Sequence, residues 1–340
     1  MGKLKSLAIF VTLGCLLIST NILALDSVRL TGLLETEAYY HEPNEGDSES
    51  DIELATAELH IEAIRGNVLG HLSFLYEQNA TDLEVDESFI RLNLSKIYIK
   101  AGHTYAPFGN FTSNMISDPL TLELGETRKT VAMLGFDDAV YGSIYAFNGA
   151  SSEVGDANKI NQFGLSLGFA QETDNSSFNI GINYISSIAD TDSMVGYFED
   201  ENPDVLENLD SSVDGIGIHA VFNFATLNLI GEYVSALDTF KSNELEFNNV
   251  GAEPKTWNLE AGYNFQALNK DMTLAVAYQV SDGAVTLGLP KTRILASLGI
   301  GVYDDTTLAF EISNDTDYDE NDGGTGTNSS KIVVQLSYEF

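Results

Sequence analysis

Two histidines and their neighbouring carboxylates are the residues of this chain whose types could support metal chemistry. His60 and His71 lie at inward positions of two adjacent predicted strands, with Glu58 and Glu62 beside His60. Imidazole and carboxylate groups together can coordinate a transition metal. Histidines that are hydrogen-bonded in a polar interior explain the same pattern, and we favour that explanation and expect no metal site.

A serine motif is the second feature that could carry chemistry. The run Gly164-Leu-Ser166-Leu-Gly168 matches the Gly-x-Ser-x-Gly pattern of a nucleophile elbow. An elbow requires a sharp turn from strand to helix, whereas Ser166 lies mid-strand and no helical pattern follows. Barrel lipases need a serine and a histidine on the outer wall, and His219 is predicted to face inward. The sequence therefore predicts no enzyme, no catalytic residue and no cofactor.

Charge excludes one class of partner. The chain has 16 basic and 51 acidic residues, a net charge of −35. Nucleic-acid binding requires a basic face, so it is not expected. Inward glutamates would favour cations over anions. A local basic patch that meets an anion could still form from six residues: Arg29, Arg91, Lys100, Arg128, Lys129 and Arg293.

The elements that must position these residues are recognisable from a two-residue period. In the last ten residues Ile332, Val334, Leu336, Tyr338 and Phe340 share one face, and mostly polar residues share the other. A period of two indicates a strand with one apolar and one wet face. The same alternation recurs along the chain, which favours an all-β transmembrane antiparallel barrel with lipid outside and water inside.

About sixteen strands are predicted, and their connections alternate between long and short. Long external loops and tight periplasmic turns are typical of outer-membrane barrels, with both termini in the periplasm. A soluble β-sandwich, the alternative, does not require that alternation. The predicted spans are 27–40, 51–64, 67–77, 85–94, 97–103, 130–136, 140–148, 162–171, 177–187, 214–224, 227–236, 256–266, 271–281, 292–303, 306–314 and 331–340.

Residues 1 to about 24 have the features of an export signal. Lys3 and Lys5 precede an apolar run from Leu7 to Ile18, and the expected cut is near Ala24. The single cysteine, Cys15, lies inside this stretch, so residues 25–340 form no disulfide. Because strands begin soon after the expected cut, we expect no separate plug domain before the barrel.

The third long connection, 104–129, differs from the others. It carries few charges, many apolar residues, and Pro107, Gly109, Pro119 and Gly125. This composition predicts a segment that packs, either folded into the lumen as a constriction loop or as a cap on the rim or on a neighbouring subunit.

The same region carries a family resemblance. The segment from Ala106 to Phe111, the run from Ile116 to Arg128, the Gly135-Phe-Asp triplet and the stretch from Tyr141 to Gly149 resemble the LbtU-type siderophore porin family. The resemblance covers roughly residues 97–149. It implies an outer-membrane barrel that takes up a ferric siderophore without an energised plug, and it implies no catalytic residues. Phe340 at the end also resembles the signal that is read by the barrel-assembly machinery.

The sequence thus predicts a channel or receptor for a ferric siderophore. A general diffusion porin and a loop-decorated surface barrel for adhesion or membrane integrity are the alternatives. The expected partners are the bilayer, lipopolysaccharide, the barrel-assembly machinery and a ferric siderophore; whether further copies of the chain join them as a homo-oligomer is left open by the sequence. The candidate pore or constriction residues are Phe108, Asp118, Glu123, Glu126, Arg128, Lys129, Glu58, His60, Glu62, His71, Arg91 and Lys100.

Overall fold

The computed structural model of the protein describes residues 25–151, 159–201 and 209–340. Sixteen antiparallel strands close into one barrel, in which every strand pairs with its neighbours in sequence and the first pairs with the last. A separate two-stranded hairpin, formed by Glu246–Phe247 and Val250–Gly251, lies in one of the long connections. The predicted export signal lies outside the described residues.

The strands, numbered along the chain, have the following bounds: β1 Ser27–Glu42, β2 Glu49–Arg65, β3 Val68–Glu77, β4 Thr81–Leu94, β5 Ile97–Tyr105, β6 Arg128–Phe136, β7 Val140–Phe147, β8 Gln162–Thr173, β9 Ser176–Ile185, β10 Gly215–Phe224, β11 Leu227–Ala236, β12 Glu246–Phe247, β13 Val250–Gly251, β14 Lys255–Ala267, β15 Lys270–Asp282, β16 Thr292–Tyr303, β17 Thr306–Thr316 and β18 Asn328–Glu339. Two α-helices, α1 (Leu120–Gly125) and α2 (Asp192–Glu201), lie in long connections. No described helix is long and apolar enough to cross a membrane.

The predicted barrel and its strand count are confirmed. Large apolar side chains point outward and are exposed, as on β14, where Trp257, Leu259 and Tyr263 alternate with the buried Asn258 and Glu260. This alternation follows from the pleat of a strand, which sends successive side chains to opposite faces. An exposed apolar outer wall around a polar interior is the arrangement that a lipid bilayer requires.

The barrel closes where its two ends meet. Ten residue pairs join β1 to β18, and Gly32 and Phe340 exchange two backbone hydrogen bonds of 2.9 and 3.0 Å. The ring of Phe340 lies over Gly32, where an added Cβ would come within 2.5 Å of it. A glycine is therefore required at position 32 by this close approach.

The structure differs from the predicted spans mainly at the ends of strands. The two shortest predicted strands, 97–103 and 130–136, each extend by two residues toward connection 106–127. The helices α1 and α2 and the β12–β13 hairpin were not predicted. Their patterns are too short to show a helical or strand period, so only the tertiary packing reveals them.

Candidate functional site

Segment 106–127, between β5 and β6, lies against the inner wall of the barrel. Its two ends are held together by the Ala106 N–H, which donates to the Thr127 carbonyl at 2.8 Å. From there it runs along the inner faces of β11, β14 and β17, as its hydrogen bonds show. The segment therefore covers one side of the interior and leaves the other side open.

Three inward glutamates hold this segment. Glu232 on β11 accepts from the backbone N–H groups of Asn110 (2.6 Å) and Phe111 (3.1 Å) and from the Thr121 hydroxyl (2.9 Å). All three glutamates are only 3–5% exposed: Glu232, Glu260 and Glu311. Carboxylates that accept several N–H and O–H groups make strong charge-assisted hydrogen bonds, which offset the cost of burying their charge.

Glu260 and Glu311 continue the same pattern along the segment. Glu260 on β14 accepts from the Ser113 hydroxyl at 2.7 Å and from the Asn114 N–H at 2.8 Å. Glu311 on β17 accepts from the Ile116 N–H at 2.6 Å and from the Ser117 hydroxyl at 2.6 Å. The backbone of an irregular segment is thus satisfied by side chains of the wall, as buried N–H groups require.

Apolar contacts hold the two ends of the segment. Phe108 is fully buried in a cluster that includes Ile185 and Ile188, while Leu120 packs with Ala284 and Leu289. Phe108 was predicted from the sequence to be a constriction residue. Because its side chain is fully buried, it has a packing role and does not contact the open space of the lumen.

A second layer covers the segment on the long-loop side. The Asp192 N–H, at the start of α2, donates to the Glu126 carbonyl at 2.8 Å. The Asp192 carboxylate in turn accepts from the Arg128 N–H at 2.9 Å and lies 3.6 Å from Lys129 Nζ. The apolar cluster that contains Phe108 also includes four fully or almost fully buried residues from this layer: Met194, Phe198, Phe240 and Leu245. Helix α2 therefore fixes the position of the C-terminal end of segment 106–127, which contains helix α1.

Beside the segment lies a cavity of about 710 Å³, which we call the acidic opening. It is lined by segment 106–127 and by residues of β1, β2, β3, β16, β17 and β18. Two candidates of the sequence, Asp118 and Glu123, line it from the segment. Its eight carboxylates face two permanent cations: Glu35, Glu37, Glu49, Glu53, Glu77, Asp118, Glu123 and Asp315 against Arg293 and Lys331.

The cations of the acidic opening are themselves committed to contacts. Arg293 makes a bidentate pair with Asp315, at 2.9 and 3.0 Å, and also donates to the Asp118 carbonyl at 3.4 Å. Lys331 Nζ lies 4.8 Å from the centre of the Tyr39 ring. Glu37 and Glu53 stand directly opposite each other on β1 and β2. The field in the opening is therefore negative, which favours cations.

Carboxyl groups of the segment have raised pKa values. Burial, with Glu123 and other nearby acids, raises the pKa of Asp118 to about 6. Burial, together with Asp192 and Asp118, raises the pKa of Glu126 to about 7. Burial also raises the pKa of Glu123, against the attraction of Arg293. Desolvation and like charges both disfavour the ionised form of an acid.

The predicted basic patch does not form, because its members lie on several strands and pair with acids. Arg128 Nη1 lies 2.6 Å from both Glu84 and Asp86, while Lys129 pairs with Asp192. Arg29 pairs with Glu62, Arg91 with Asp137 and Arg293 with Asp315. Arg91 and Lys100 are adjacent across β4 and β5. Of the six residues of the predicted patch, five have a carboxylate partner, and the sixth, Lys100, lies over the Phe89 ring.

The histidine group lies toward the short-turn end of the barrel. His60 Nε2 is 3.1 Å from Glu58, and His71 lies 3.9 Å from Glu62 and 3.7 Å from Glu87. The His60 and His71 ring centres are 5.6 Å apart. Across residues 25–151, 159–201 and 209–340, no group of three or more side chains is arranged to hold a metal ion.

The serine motif forms part of the wall. Ser166 lies in the middle of β8, and its hydroxyl is 2.8 Å from that of Ser143 on β7. An added Cβ at Gly164 or Gly168 would come within 2.1 Å of the Tyr145 or Tyr141 ring. The two glycines thus make room for tyrosines of the neighbouring strand, and the motif has no turn that could present a nucleophile.

Six acids of the opening are not among the candidates of the sequence analysis: Glu35, Glu37, Glu49, Glu53, Glu77 and Asp315. Glu49 and Glu53 alternate along β2 with outward residues, so the period of two could have identified them. The two-residue period shows which acids face inward, but it does not show which of them segment 106–127 leaves uncovered.

Known proteins of similar sequence are named UPF0422 proteins. The chain is 29% identical over 325 residues to a UPF0422 protein of Coxiella burnetii, covering 91% of this chain and 69% of that protein. It is 28% identical over 323 residues to a UPF0422 protein of Legionella pneumophila, covering 86% of this chain. The chain spans only 59% of the length of that Legionella protein. No family model matches the chain.

Solved structures of similar shape are channels of outer membranes. The anion-selective porin from Comamonas acidovorans superimposes with a TM-score of 0.64 at 13% identity, covering 92% of this chain and 99% of the porin. The fold is that of the porins. Pseudomonas putida OprB (TM-score 0.62, 10% identity, 92% and 94% covered) and the Acinetobacter baumannii channel DcaP (0.58, 14%, 92% and 97%) share it.

Proposed function

We propose that the protein is an outer-membrane channel that admits small hydrophilic solutes and favours cations. The observation that supports this function is the acidic opening, where eight carboxylates face two permanent cations across about 710 Å³. The porin fold and the apolar outer wall support the location. We propose in addition that residues 1 to about 24 act as an export signal and that segment 106–127 is the constriction.

Reconstitution in planar bilayers tests this proposal. In a KCl gradient across the bilayer, the reversal potential is expected to have the sign of a K⁺-preferring pore, because negative charge at a narrow opening concentrates cations. Liposome swelling should be faster with a small amine than with a carboxylate of equal size. Absence of conductance, or a preference for Cl⁻, would contradict the proposal.

Ferric siderophore uptake is a second candidate function, and it rests on the resemblance of residues 97–149 to the siderophore porin family. That stretch includes segment 106–127, which borders the opening. Because the opening is acidic, the transported complex would have to be neutral or carry a cationic group. An anionic ferric carboxylate complex would be repelled.

Uptake into liposomes separates the two candidates. A cationic ferric hydroxamate such as ferrioxamine B, anionic ferric citrate and a neutral disaccharide would be compared in the protein and in a variant with a shortened 104–129 connection. Siderophore uptake predicts that ferrioxamine B enters faster than the disaccharide and that the shortened variant loses this advantage. Equal entry by size alone supports a general diffusion porin.

Two further partners are proposed at the ends of the barrel. Acidic external loops could share divalent cations with lipopolysaccharide, and Phe340 could be read by the barrel-assembly machinery. Phe340 is 47% exposed while its backbone closes the barrel, so its side chain is accessible to a partner. Removal of Phe340 is expected to reduce insertion in cells more than refolding in detergent.

A further inference from the structure

Strand β4 carries two consecutive acids, Asp86 and Glu87, whose side chains both bind the end of β5. The pairing register between β3 and β4 shifts at this point, so Ser73 alone stands opposite the two acids. Two residues that face one across a ladder form a β-bulge, which re-aims side chains and is common beside functional sites. The buried Ser73 hydroxyl holds the bulge, because it accepts from the Glu87 N–H at 2.8 Å and donates to Asp86 at 3.2 Å.

Asp86 binds both residues that flank segment 106–127. Tyr105 ends β5, Arg128 begins β6, and the two are paired in register. The Tyr105 hydroxyl donates to Asp86 Oδ1 at 2.8 Å, and Arg128 Nη1 donates to the same oxygen at 2.6 Å. Asp86 is only 2% exposed, and charge-assisted hydrogen bonds to a carboxylate are the strong ones. We call Asp86, Tyr105 and Arg128 the base clamp.

Two further acids of β4 support the base clamp, one on each side. Glu87 accepts from the Thr104 hydroxyl and from the Tyr105 N–H, the latter at 3.3 Å, on the β5 side. Glu84 lies 2.6 Å from Arg128 Nη1 on the β6 side. Asp86 contacts both sides, so it is the residue that ties the two ends of the segment to β4.

The base clamp lies close in sequence to the acids that segment 106–127 brings to the opening. Helix α1 (Leu120–Gly125) carries Glu123, and Glu126 and Thr127 are all that separates the helix from Arg128. A connection of two residues allows little independent movement of its ends. The place of Arg128 therefore limits where α1 and Glu123 can lie.

We propose that Asp86 is a positioning residue of the channel, which sets through Tyr105 and Arg128 where helix α1 holds Glu123 at the acidic opening. The inference rests on the proposed channel function and adds the residue that fixes its constriction. Asp86 is not among the residues that line the opening, and its own charge is paired with Arg128. Its effect on permeation is therefore expected to pass through the position of α1.

Single-channel recording of Asp86→Ala in planar bilayers tests the proposal. Partial closures of the open channel should become about tenfold more frequent, the factor that corresponds to one lost charge-assisted hydrogen bond. The K⁺/Cl⁻ permeability ratio should fall toward that of Glu123→Gln. In a Glu123→Gln background, Asp86→Ala should change the ratio far less, because the carboxylate that it displaces is already neutral. A residue that only stabilises the fold would not show this dependence on Glu123.

Two further variants make the result specific. Asp137→Ala removes the carboxylate of another arginine pair, with Arg91, at the short turn between β6 and β7. It is the matched control, and its closures and permeability ratio should equal those of the wild type. Tyr105→Phe removes one hydroxyl of the base clamp and should raise the closure frequency in the same direction by a smaller factor. This variant decides the question if Asp86→Ala does not insert.

The wild-type recording separates failure of the base clamp from failure of the channel. A K⁺-preferring wild type whose closures and permeability ratio are unchanged in Tyr105→Phe and in any inserted Asp86→Ala would overturn the base clamp and leave the channel function intact. Additive changes of the ratio in Asp86→Ala and Glu123→Gln would do the same. No KCl conductance in the wild type would overturn the proposed channel and the base clamp together.

Discussion

The two halves of the inner wall use the same residue type in opposite ways. On the half covered by segment 106–127, Glu232, Glu260 and Glu311 are almost fully buried and bind its backbone. On the open half, Glu37 and Glu53 line the acidic opening. An inward glutamate is therefore either a ligand of the segment or part of the field of the pore, and the path of one connection decides which.

The difference also separates stability from selectivity. A buried carboxylate that loses its charge leaves several N–H donors without a full acceptor, which costs free energy of folding. A solvated carboxylate that loses its charge changes the local potential and little else. A substitution of a glutamate on the covered half should therefore lower the unfolding free energy. The same substitution on the open half should leave the unfolding free energy nearly unchanged and alter the permeability of the pore.

The largest effect is expected from Glu260→Gln on the covered half. The amide replaces one of the two acceptor oxygens by an NH₂ group, so either the Ser113 hydroxyl or the Asn114 N–H loses its acceptor and the unfolding free energy should fall by about 2 kcal/mol. Urea unfolding of the refolded protein in lipid vesicles would measure it. We also expect noisier single-channel currents, because the segment is held less firmly.

Glu53→Gln on the open half is the matched control for that experiment. It makes the same chemical change at an inward glutamate that lines the opening, and its unfolding free energy should stay within about 0.5 kcal/mol of wild type. Equal losses in the two variants would mean that the two halves do not differ as described.

The second effect concerns ion selectivity, which substitutions on the open half should change more than substitutions on the covered half. A Glu37→Gln and Glu53→Gln double variant removes two facing charges, each worth about 1 kcal/mol to a cation at contact distance in water. The K⁺/Cl⁻ permeability ratio at 0.1 M salt should fall severalfold, as measured by reversal potentials. At 1 M salt the difference should shrink, since the Debye length is then about 3 Å. A salt-independent change would point to altered pore size instead.

A smaller effect is expected from pH, through carboxyl groups of segment 106–127. The pKa of Asp118 is raised to about 6 and that of Glu126 to about 7, so both lose charge as the pH falls from 8 to 5. Cation preference should decline over this range, and Asp118→Asn should remove the part with its midpoint near pH 6. A flat profile in the wild type would contradict the placement of Asp118 at the opening.

The same two carboxyl groups should make the protein more stable as the pH falls, whereas they make the pore less selective for cations. A carboxyl whose folded-state pKa is raised favours its protonated form, so its contribution to stability is fully present below its unfolded-state pKa, about 4. That contribution is lost as the pH rises through 6 and 7 for Asp118 and Glu126. Urea unfolding at pH 5 and pH 8 should show the segment held more firmly at pH 5.

The strands could be predicted from the sequence because each carries its own period of two. Leu259, Ala261 and Tyr263 establish the outer face of β14 without reference to any other strand. The path of segment 106–127 has no such local signal, because the hydrogen bond from Asn110 to Glu232 spans 122 positions. Charge pairing is equally non-local, since Arg128 binds Asp86 across 42 positions. The sequence could therefore name Asp118 and Glu123 as candidates but could not say that Phe108 is buried.

The smallest effect is expected from Lys129→Gln, and it tests whether the covered half contributes anything to permeation. Lys129 Nζ lies 3.6 Å from Asp192, beside helix α2 and apart from the residues that line the acidic opening. Its charge is already balanced there, so the K⁺/Cl⁻ permeability ratio should equal that of the wild type within error. A change as large as that of the Glu37 and Glu53 double variant would show that cations of the covered half reach the permeating ion. The division of the wall into an anchoring half and a selective half would then be wrong.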